Sequence, residues 1–188
     1  MGNVEGLFLE SAGTRYLDSV WEKAQRIPAI VACISGMPGS GKSSMVRSWI
    51  DHYERPVVWY DAAYRNIYHT EVERCPIDDY VPEDGVELVS NERLAQLLQP
   101  VVDKVDYIFT PDEVDAMDDA VVVIDSYDLA GEARPALLHF LRTLEVTDPR
   151  VGGARHVRRV APKMFVVVWN SLNTQDFTPD ERRLLMRI

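Results

Sequence analysis

An eight-residue segment in the first quarter of the chain carries residue types that bind phosphate. It reads Gly36-Met37-Pro38-Gly39-Ser40-Gly41-Lys42-Ser43 and is followed by Ser44. Glycines let the backbone curl so that its N–H groups face a phosphate, while the lysine and the hydroxyl that follow reach phosphate oxygens and Mg²⁺. The pattern predicts a nucleoside triphosphate site lined by residues 36–44, with Lys42 on the β- and γ-phosphates and Ser43 on Mg²⁺.

The segments on either side of this loop support the prediction. Residues 29–35 form a short apolar run rich in Ile and Val, which is typical of a strand. Residues 42–53 repeat apolar side chains at helical spacing. The order strand, loop, helix is the one in which a phosphate-binding loop works, because the positive end of the helix dipole then faces the phosphate.

A second apolar run ends on an acid that can complete the site. Residues 119–125 form an almost continuous β-branched run, typical of a parallel strand buried on both faces, and its last residue is Asp125. A protein holds Mg²⁺ through few groups, one of them usually an acid at the tip of a strand next to the phosphate loop. We therefore expect Asp125 to be the second metal ligand.

The remaining pattern alternates between helix and strand. It predicts helices over 14–26, 91–105 and 134–145, strands over 56–61 and 163–169, a bend at Pro100, and an acidic proline-bearing loop over 71–90. This alternation is typical of an α/β fold with a parallel sheet between helical layers, an αβα sandwich of the P-loop NTPase type. At 188 residues, we expect one nucleotide-binding domain over 1–188.

Composition restricts the partners. The formal net charge of −10 argues against non-specific coating of nucleic acid, which depends on Lys and Arg. One basic cluster is an exception and could contact nucleic acid, a protein partner or a bound phosphate, or simply be solvated: Arg150, Arg155, Arg158 and Arg159. The sequence has no apolar stretch of membrane-spanning length and too few cysteines for a disulfide framework, so the expected location is the cytoplasm.

The order of these segments resembles the AAA+ superfamily, most nearly its dynein-related and MoxR-type members. The resemblance rests on the phosphate loop, the strand at 120–125, the helix at 136–145, a glycine-bearing hairpin-like stretch and the strand at 165–170. It implies ATP and Mg²⁺ as ligands and Asn170 as a polar sensor of the γ-phosphate, with Asn173 as the alternative. It also implies that Arg187 is an arginine finger, which acts on a neighbour's nucleotide and so requires a homo-oligomer or a larger complex.

The chain departs from the family pattern in two places, of which the first predicts slow or absent hydrolysis. Ser126 stands where many such ATPases carry the glutamate that polarises the attacking water, and a serine is no general base near neutral pH. Asp128, three residues beyond Asp125, is the alternative carboxylate. No segment matches the family's helical lid, so we expect the nucleotide to be covered on one side only.

Three functions are compatible with this pattern. The first is an ATP-binding module that couples nucleotide state, through weak ATPase activity, to remodelling or loading of a partner. The second is a small-molecule kinase, in which Asp61 at the end of the second strand would orient the acceptor. The third is a weakly hydrolysing, nucleotide-gated scaffold or viral-type assembly or packaging factor.

Overall fold

The computed structural model describes residues 10–82 and 89–186. Its helices are α1 (Ala12–Ala24), α2 (Lys42–His52), α3 (Asn91–Leu97), α4 (Pro111–Asp115), α5 (Arg134–Thr143) and α6 (Pro179–Leu185). Its strands are β1 (Ile30–Gly36), β2 (Val57–Asp61), β3 (Tyr68–Arg74), β4 (Val101–Tyr107), β5 (Val121–Asp125), β6 (Glu145–Thr147), β7 (Val157–Arg159) and β8 (Met164–Asn170).

The central sheet has four parallel strands in the order β1-β8-β5-β2. Because the strands are parallel, their carboxyl ends meet at one edge, where ligands bind in open α/β sheets. The register places Gly36 beside Asn170 and Asp61 beside Asp125 at this edge. The sheet therefore assembles residues that lie far apart in the sequence.

Helices cover both faces of this sheet. One face packs against α1 and α2 through Leu17, Val46 and Trp49, which are fully buried. The other face packs against α5 through Leu137 and Phe140, together with α4 and α6. Every residue of β5 is buried because both of its faces are covered, as its continuous apolar sequence predicts. The α/β fold with a parallel sheet between helical layers is confirmed.

An arginine fixes α1 against α2 in one of these layers. The Arg55 guanidinium lies 3.9 Å from the Trp21 ring centroid and 4.2 Å from that of Trp49. Asp18 in α1 accepts a 2.8 Å hydrogen bond from the Trp49 indole N–H. These cation–π and hydrogen-bonding contacts stabilise the position of α1 beside the strand that leads into the phosphate loop.

The helix predicted over 91–105 is wrong in its second half. The helix α3 ends at Leu97, and Val101–Tyr107 is a strand, β4, paired antiparallel with β3. Pro100 lacks an N–H and disfavours helical backbone before it, so it ends the helix instead of bending it. The β-branched residues that follow gain a full ladder of hydrogen bonds from β3.

The loop predicted over 71–90 is wrong in its first part, because residues 71–74 pair with β4. Residues 71–74 belong to β3, and Pro76–Asp79 is a 3-10 turn, whereas 83–88 lie outside the described residues. A second hairpin, β6 with β7, occupies the predicted hairpin-like stretch.

Within 10–82 and 89–186, the structure has no helix that combines the length and the apolarity needed to cross a membrane.

Candidate functional site

The phosphate loop joins the end of β1 to the start of α2. Gly39 and Gly41 adopt φ angles of +74° and +80°, which side chains other than glycine rarely accept. At Gly36 an added Cβ would lie 3.3 Å from Ser40 Oγ, closer than an ordinary contact. The glycines thus keep the loop tightly curled, with the N-terminus of α2 behind it. This is the backbone geometry that suits a phosphate.

Lys42 bends back over the loop. Its Nζ donates to the carbonyl oxygen of Met37 at 2.8 Å, to that of Gly36 at 3.2 Å, and to Oδ1 of Asn170 at 3.1 Å. An ammonium group has three donors, so all three are in use. The third contact joins the loop to the end of β8, which brings together two residues that sequence reasoning assigned separately.

Ser43 and Asp125 meet on the adjacent side of the cleft. The Ser43 hydroxyl donates to Oδ1 of Asp125 at 2.8 Å, and the backbone N–H of Ser126 donates to the same oxygen at 2.9 Å. The lone pairs of the hydroxyl and the second carboxylate oxygen are the type of ligand that Mg²⁺ prefers. This donor set fits the predicted metal site.

The surroundings of Asp125 disfavour its negative charge. The residue is 5% exposed, and this burial raises the pKa of its carboxyl above the ordinary value. The Asp61 carboxylate, beside it in the sheet, acts in the same direction, while the Ser43 hydrogen bond, the Ser126 N–H and the charge of Arg47 act against it. A bound cation would offset both the burial of this carboxylate and its repulsion by Asp61.

These groups line a cleft of about 330 Å³ at the carboxyl edge of the sheet. Its lining consists of Gly39, Gly41, Lys42, Ser43, Ser44, Asp125, Ser126, Asp128, Val168, Trp169 and Asn170. A second cleft, of about 420 Å³, lies on the β1 side of the same loop and is lined by Gly13, Tyr16, Cys33, Ile34, Ser35, Ser40, Gly41, Lys42 and Met45. Gly41 and Lys42 border both clefts, so the two clefts lie next to one another.

The chain turns sharply after Asp125. Ser126 adopts a left-handed φ of +56°, and Tyr127–Leu129 follows as a 3-10 turn. This turn brings Asp128 back to the end of β8, where its carboxylate accepts from the backbone N–H of Asn170 at 3.1 Å. Asp128 also accepts from the side-chain amide of Asn173 at 2.7 Å.

Of the two asparagines predicted as sensors, Asn170 contacts Lys42 and Asn173 does not. Asn173 is exposed and contacts Asp128 from the outer side. The geometry thus favours Asn170 for contact with the terminal phosphate of a bound nucleotide. Arg187, the predicted arginine finger, lies outside the described residues.

The basic cluster is half neutralised within the chain. Arg150 forms ion pairs with Asp115 at 2.9 Å and with Asp148 at 2.8 Å, and Arg158 pairs with Asp115 at 2.5 Å. The guanidinium groups of Arg150 and Arg158 lower the pKa of Asp115 to about 2. Arg155 and Arg159 are exposed and take no part in these ion pairs. Two of the four arginines of the cluster therefore present their charge to solvent.

Sequence reasoning did not place Asp61 and Arg47 around the metal site. Both act electrostatically on Asp125, and Arg47 also lies over the Trp59 ring at 4.1 Å. A usable signal was present for Asp61, because it and Asp125 both end apolar strands. Nothing in the sequence indicated that these two strands are neighbours in the sheet.

No protein-family model matches this chain, and a search of curated proteins finds no significant match. Among solved structures, it is similar to NtrX from Brucella abortus in complex with ATP, at 16% identity and a TM-score of 0.49, over 98% of this chain and 37% of NtrX. The ADP complex of NtrX gives 16% identity and a TM-score of 0.48, over 93% and 35%. The chain therefore spans about a third of the length of NtrX.

Proposed function

We propose that this chain binds ATP with Mg²⁺ at the phosphate loop and acts as an AAA+-like module that couples nucleotide state to a partner. The observation that carries the proposal is the Ser43 hydroxyl at 2.8 Å from Asp125, next to a lysine that reaches across the loop. Ser43 and Asp125 would hold Mg²⁺, which neutralises charge on the phosphate oxygens when bound. The second cleft, with Tyr16, Ile34 and Met45, offers the apolar surface that a nucleobase needs.

Replacement of Asp125 tests the metal role. Asp125→Ala should remove most of the Mg²⁺-dependent gain in ATP affinity, at least about tenfold, because a carboxylate ligand is lost. Titration calorimetry with ATP, with and without Mg²⁺, measures this gain. Asp118→Ala, another acid on the segment before β5, is the matched control and should leave it unchanged. An equal loss with and without the metal would contradict the assignment.

The raised pKa of Asp125 gives a pH dependence with a defined sign. Only the ionised carboxylate binds the metal, so the Mg²⁺-dependent gain should be complete at high pH and fall as the pH drops through the pKa. Because burial and Asp61 raise this pKa, the fall should begin at a higher pH than for an ordinary aspartate, whose pKa is about 3.9. A calorimetric series from about pH 8 to about pH 4 checks it on the wild type and on Asp125→Ala, because the terminal phosphate of ATP takes up a proton in the same range. The part of the fall that Asp125→Ala lacks belongs to Asp125, and its appearance only at the ordinary value would count against the assigned environment.

Restricted hydrolysis favours the nucleotide-gated scaffold as a second candidate. No carboxylate stands at position 126, and Asp128 is engaged by Asn170 and Asn173. Ser126→Glu should raise ATP turnover by about tenfold or more, since it supplies the missing base, whereas Ser126→Gln has similar size and should not. A steady-state phosphate-release assay compares them. Equal turnover in the two variants would mean that a base at 126 is not what limits hydrolysis.

A small-molecule kinase would need a cation close after β2 to bind its acceptor, and Arg65 is the arginine at that place. Arg65, the cation that follows β2, donates to both Glu113 carboxylate oxygens and to the Tyr68 hydroxyl at 3.1 Å. An arginine committed to a carboxylate in this way has little capacity left for an acceptor substrate. The geometry therefore supports the AAA+-like module over the kinase.

The oligomeric part of the proposal rests on Arg187 acting on a neighbouring subunit. If it does, turnover per subunit should climb as protein concentration rises and light scattering reports larger particles. Arg187→Ala should abolish the climb without weakening ATP binding, because the finger stabilises charge only in the transition state. Turnover independent of concentration, with the same mass throughout, would contradict an acting finger.

A further inference from the structure

The side chain of Asn170 lies between two opposite charges. Its Oδ1 accepts from Lys42 Nζ at 3.1 Å, and its Nδ2 faces Oδ2 of Asp128 at 3.4 Å. An ammonium can only donate hydrogen bonds and a carboxylate can only accept them. The two charges therefore fix the orientation of the amide, with its oxygen toward the phosphate loop and its nitrogen toward Asp128.

Asp128 is itself firmly held. One of its oxygens accepts from the backbone N–H of Asn170 and the other from the Asn173 amide at 2.7 Å. It therefore bridges the end of β8 and the 3-10 turn Ser171–Asp176 that follows. A carboxylate anchored at two points is a stable reference against which the Asn170 amide is oriented.

A triphosphate would place a conflicting demand on Asn170. A terminal phosphate in contact with Lys42 would lie beside Oδ1 of Asn170, and phosphate oxygens are strong acceptors. Two acceptors repel, so the amide must turn its nitrogen toward the phosphate. Its oxygen would then face the Asp128 carboxylate, again acceptor against acceptor. The amide nitrogen has two N–H donors, but both leave from the same end of the amide, so they cannot serve a phosphate on the Oδ1 side and Asp128 on the opposite side at once. A diphosphate held by the loop leaves the Asp128 contact intact.

We infer that Asp128 is a positioning residue that holds the Asn170 amide oxygen toward Lys42, so that binding of a triphosphate, but not of a diphosphate, has to break the Asp128–Asn170 side-chain contact. This inference rests on the proposed function and deepens it. Asp128 lowers the preference of the site for triphosphate over diphosphate, and it acts through Asn170. Breaking of this contact also connects the terminal phosphate to the turn Ser171–Asp176, because Asn173 donates to the same Asp128 oxygen.

A double-mutant cycle tests the inference. Affinities for a non-hydrolysable ATP analogue and for ADP, both with Mg²⁺, are measured by calorimetry for the wild type, Asp128→Ala, Asn170→Ala and the double variant. Asp128→Ala should raise the ratio of triphosphate to diphosphate affinity about tenfold, the effect expected of one charge-assisted hydrogen bond. In the Asn170→Ala background the same substitution should change this ratio by less than about twofold.

The Asn170→Ala background distinguishes a positioning role of Asp128 from direct repulsion between its carboxylate and the triphosphate. Loss of the Asp128 charge alone would also favour a triphosphate, but that effect would persist without the Asn170 side chain, and its persistence would overturn the inference. Asp128→Asn, which keeps the side chain's size, should raise the ratio in the same direction if Asp128→Ala does not fold. A fall in turnover with an unchanged affinity ratio would instead identify Asp128 as a base and overturn the positioning role. Failure of the wild type to bind either nucleotide would overturn the proposed function as well.

Discussion

Lys42→Ala should weaken nucleotide binding about a hundredfold. In the structure Lys42 reaches from the start of α2 across the loop to Asn170, so its charge lies where the β- and γ-phosphates of a bound nucleotide would be. Hydrogen bonds between an ammonium and phosphate oxygens are charge-assisted, and losing them should cost about 3 kcal/mol, or about a hundredfold in affinity. Titration calorimetry with ATP and Mg²⁺ measures this loss directly.

The fold should survive this substitution. Lys42 leaves behind the carbonyl groups of Met37, in the exposed loop, and of Gly36, at the half-buried end of β1, and water can replace the ammonium there. Lys23→Ala removes a lysine from an exposed position on α1 and is the matched control for net charge. If Lys42→Ala and Lys23→Ala bound ATP equally well, residues 36–43 would not be a nucleotide site.

The central sheet could be predicted from the sequence because its signals are local. β5 and β8 are continuous apolar runs, and the loop between β1 and α2 carries its glycines in a fixed pattern. The apolar runs and the glycine pattern can be recognised in the sequence without knowing what packs against these segments. Asp125 was predicted for the same reason, since an acid that ends a buried strand is visible in the sequence alone.

The β3–β4 hairpin could not be predicted in this way. Its strands pair Tyr68 with Tyr107 and Arg74 with Val101, across a segment that contains a 3-10 turn and α3. The charged residues of β3 alternate with half-buried ones, which in isolation is also compatible with a loop. Cross-strand contacts such as Arg74 with Asp103 stabilise the strand, and only the folded chain brings them together.

The hydrogen bonds between the residues of the site could not be predicted from the sequence. Lys42 and Asn170 are 128 positions apart, and Ser43 and Asp125 are 82 apart. The sequence identified these residues by type, but their contacts depend on β8 lying between β1 and β5. Asp128 is a candidate base in the sequence, and the structure adds that its carboxylate contacts two asparagines, Asn170 and Asn173.

The largest expected loss of stability follows from replacing Glu181 in α6. Glu181 is 2% exposed, and its carboxylate accepts from the Tyr127 hydroxyl at 2.8 Å and from the backbone N–H of Thr178 at 2.6 Å. It also forms an ion pair with Arg134 Nε at 3.1 Å. Tyr127 is fully buried and stands between Ser126 and Asp128 of the site. Glu181 thus fastens α6 to the turn that shapes the nucleotide cleft.

Glu181→Ala should lower the free energy of unfolding by about 3 kcal/mol, because it leaves the buried Tyr127 hydroxyl without its acceptor and the Arg134 guanidinium without its ion-pair partner. For a domain of this size that corresponds to a fall in melting temperature of about 6–12 °C. Asp180→Ala is the matched control. It also removes an acid from the first turn of α6, but the Asp180 side chain is 54% exposed and its ion pairs with Arg142 and Arg183 should contribute under about 1 kcal/mol. Thermal melting followed by circular dichroism compares the two. A loss no larger for Glu181→Ala than for Asp180→Ala would mean that the desolvation cost of the buried carboxylate offsets its bonds, and that apolar packing alone holds α6 against the turn after β5.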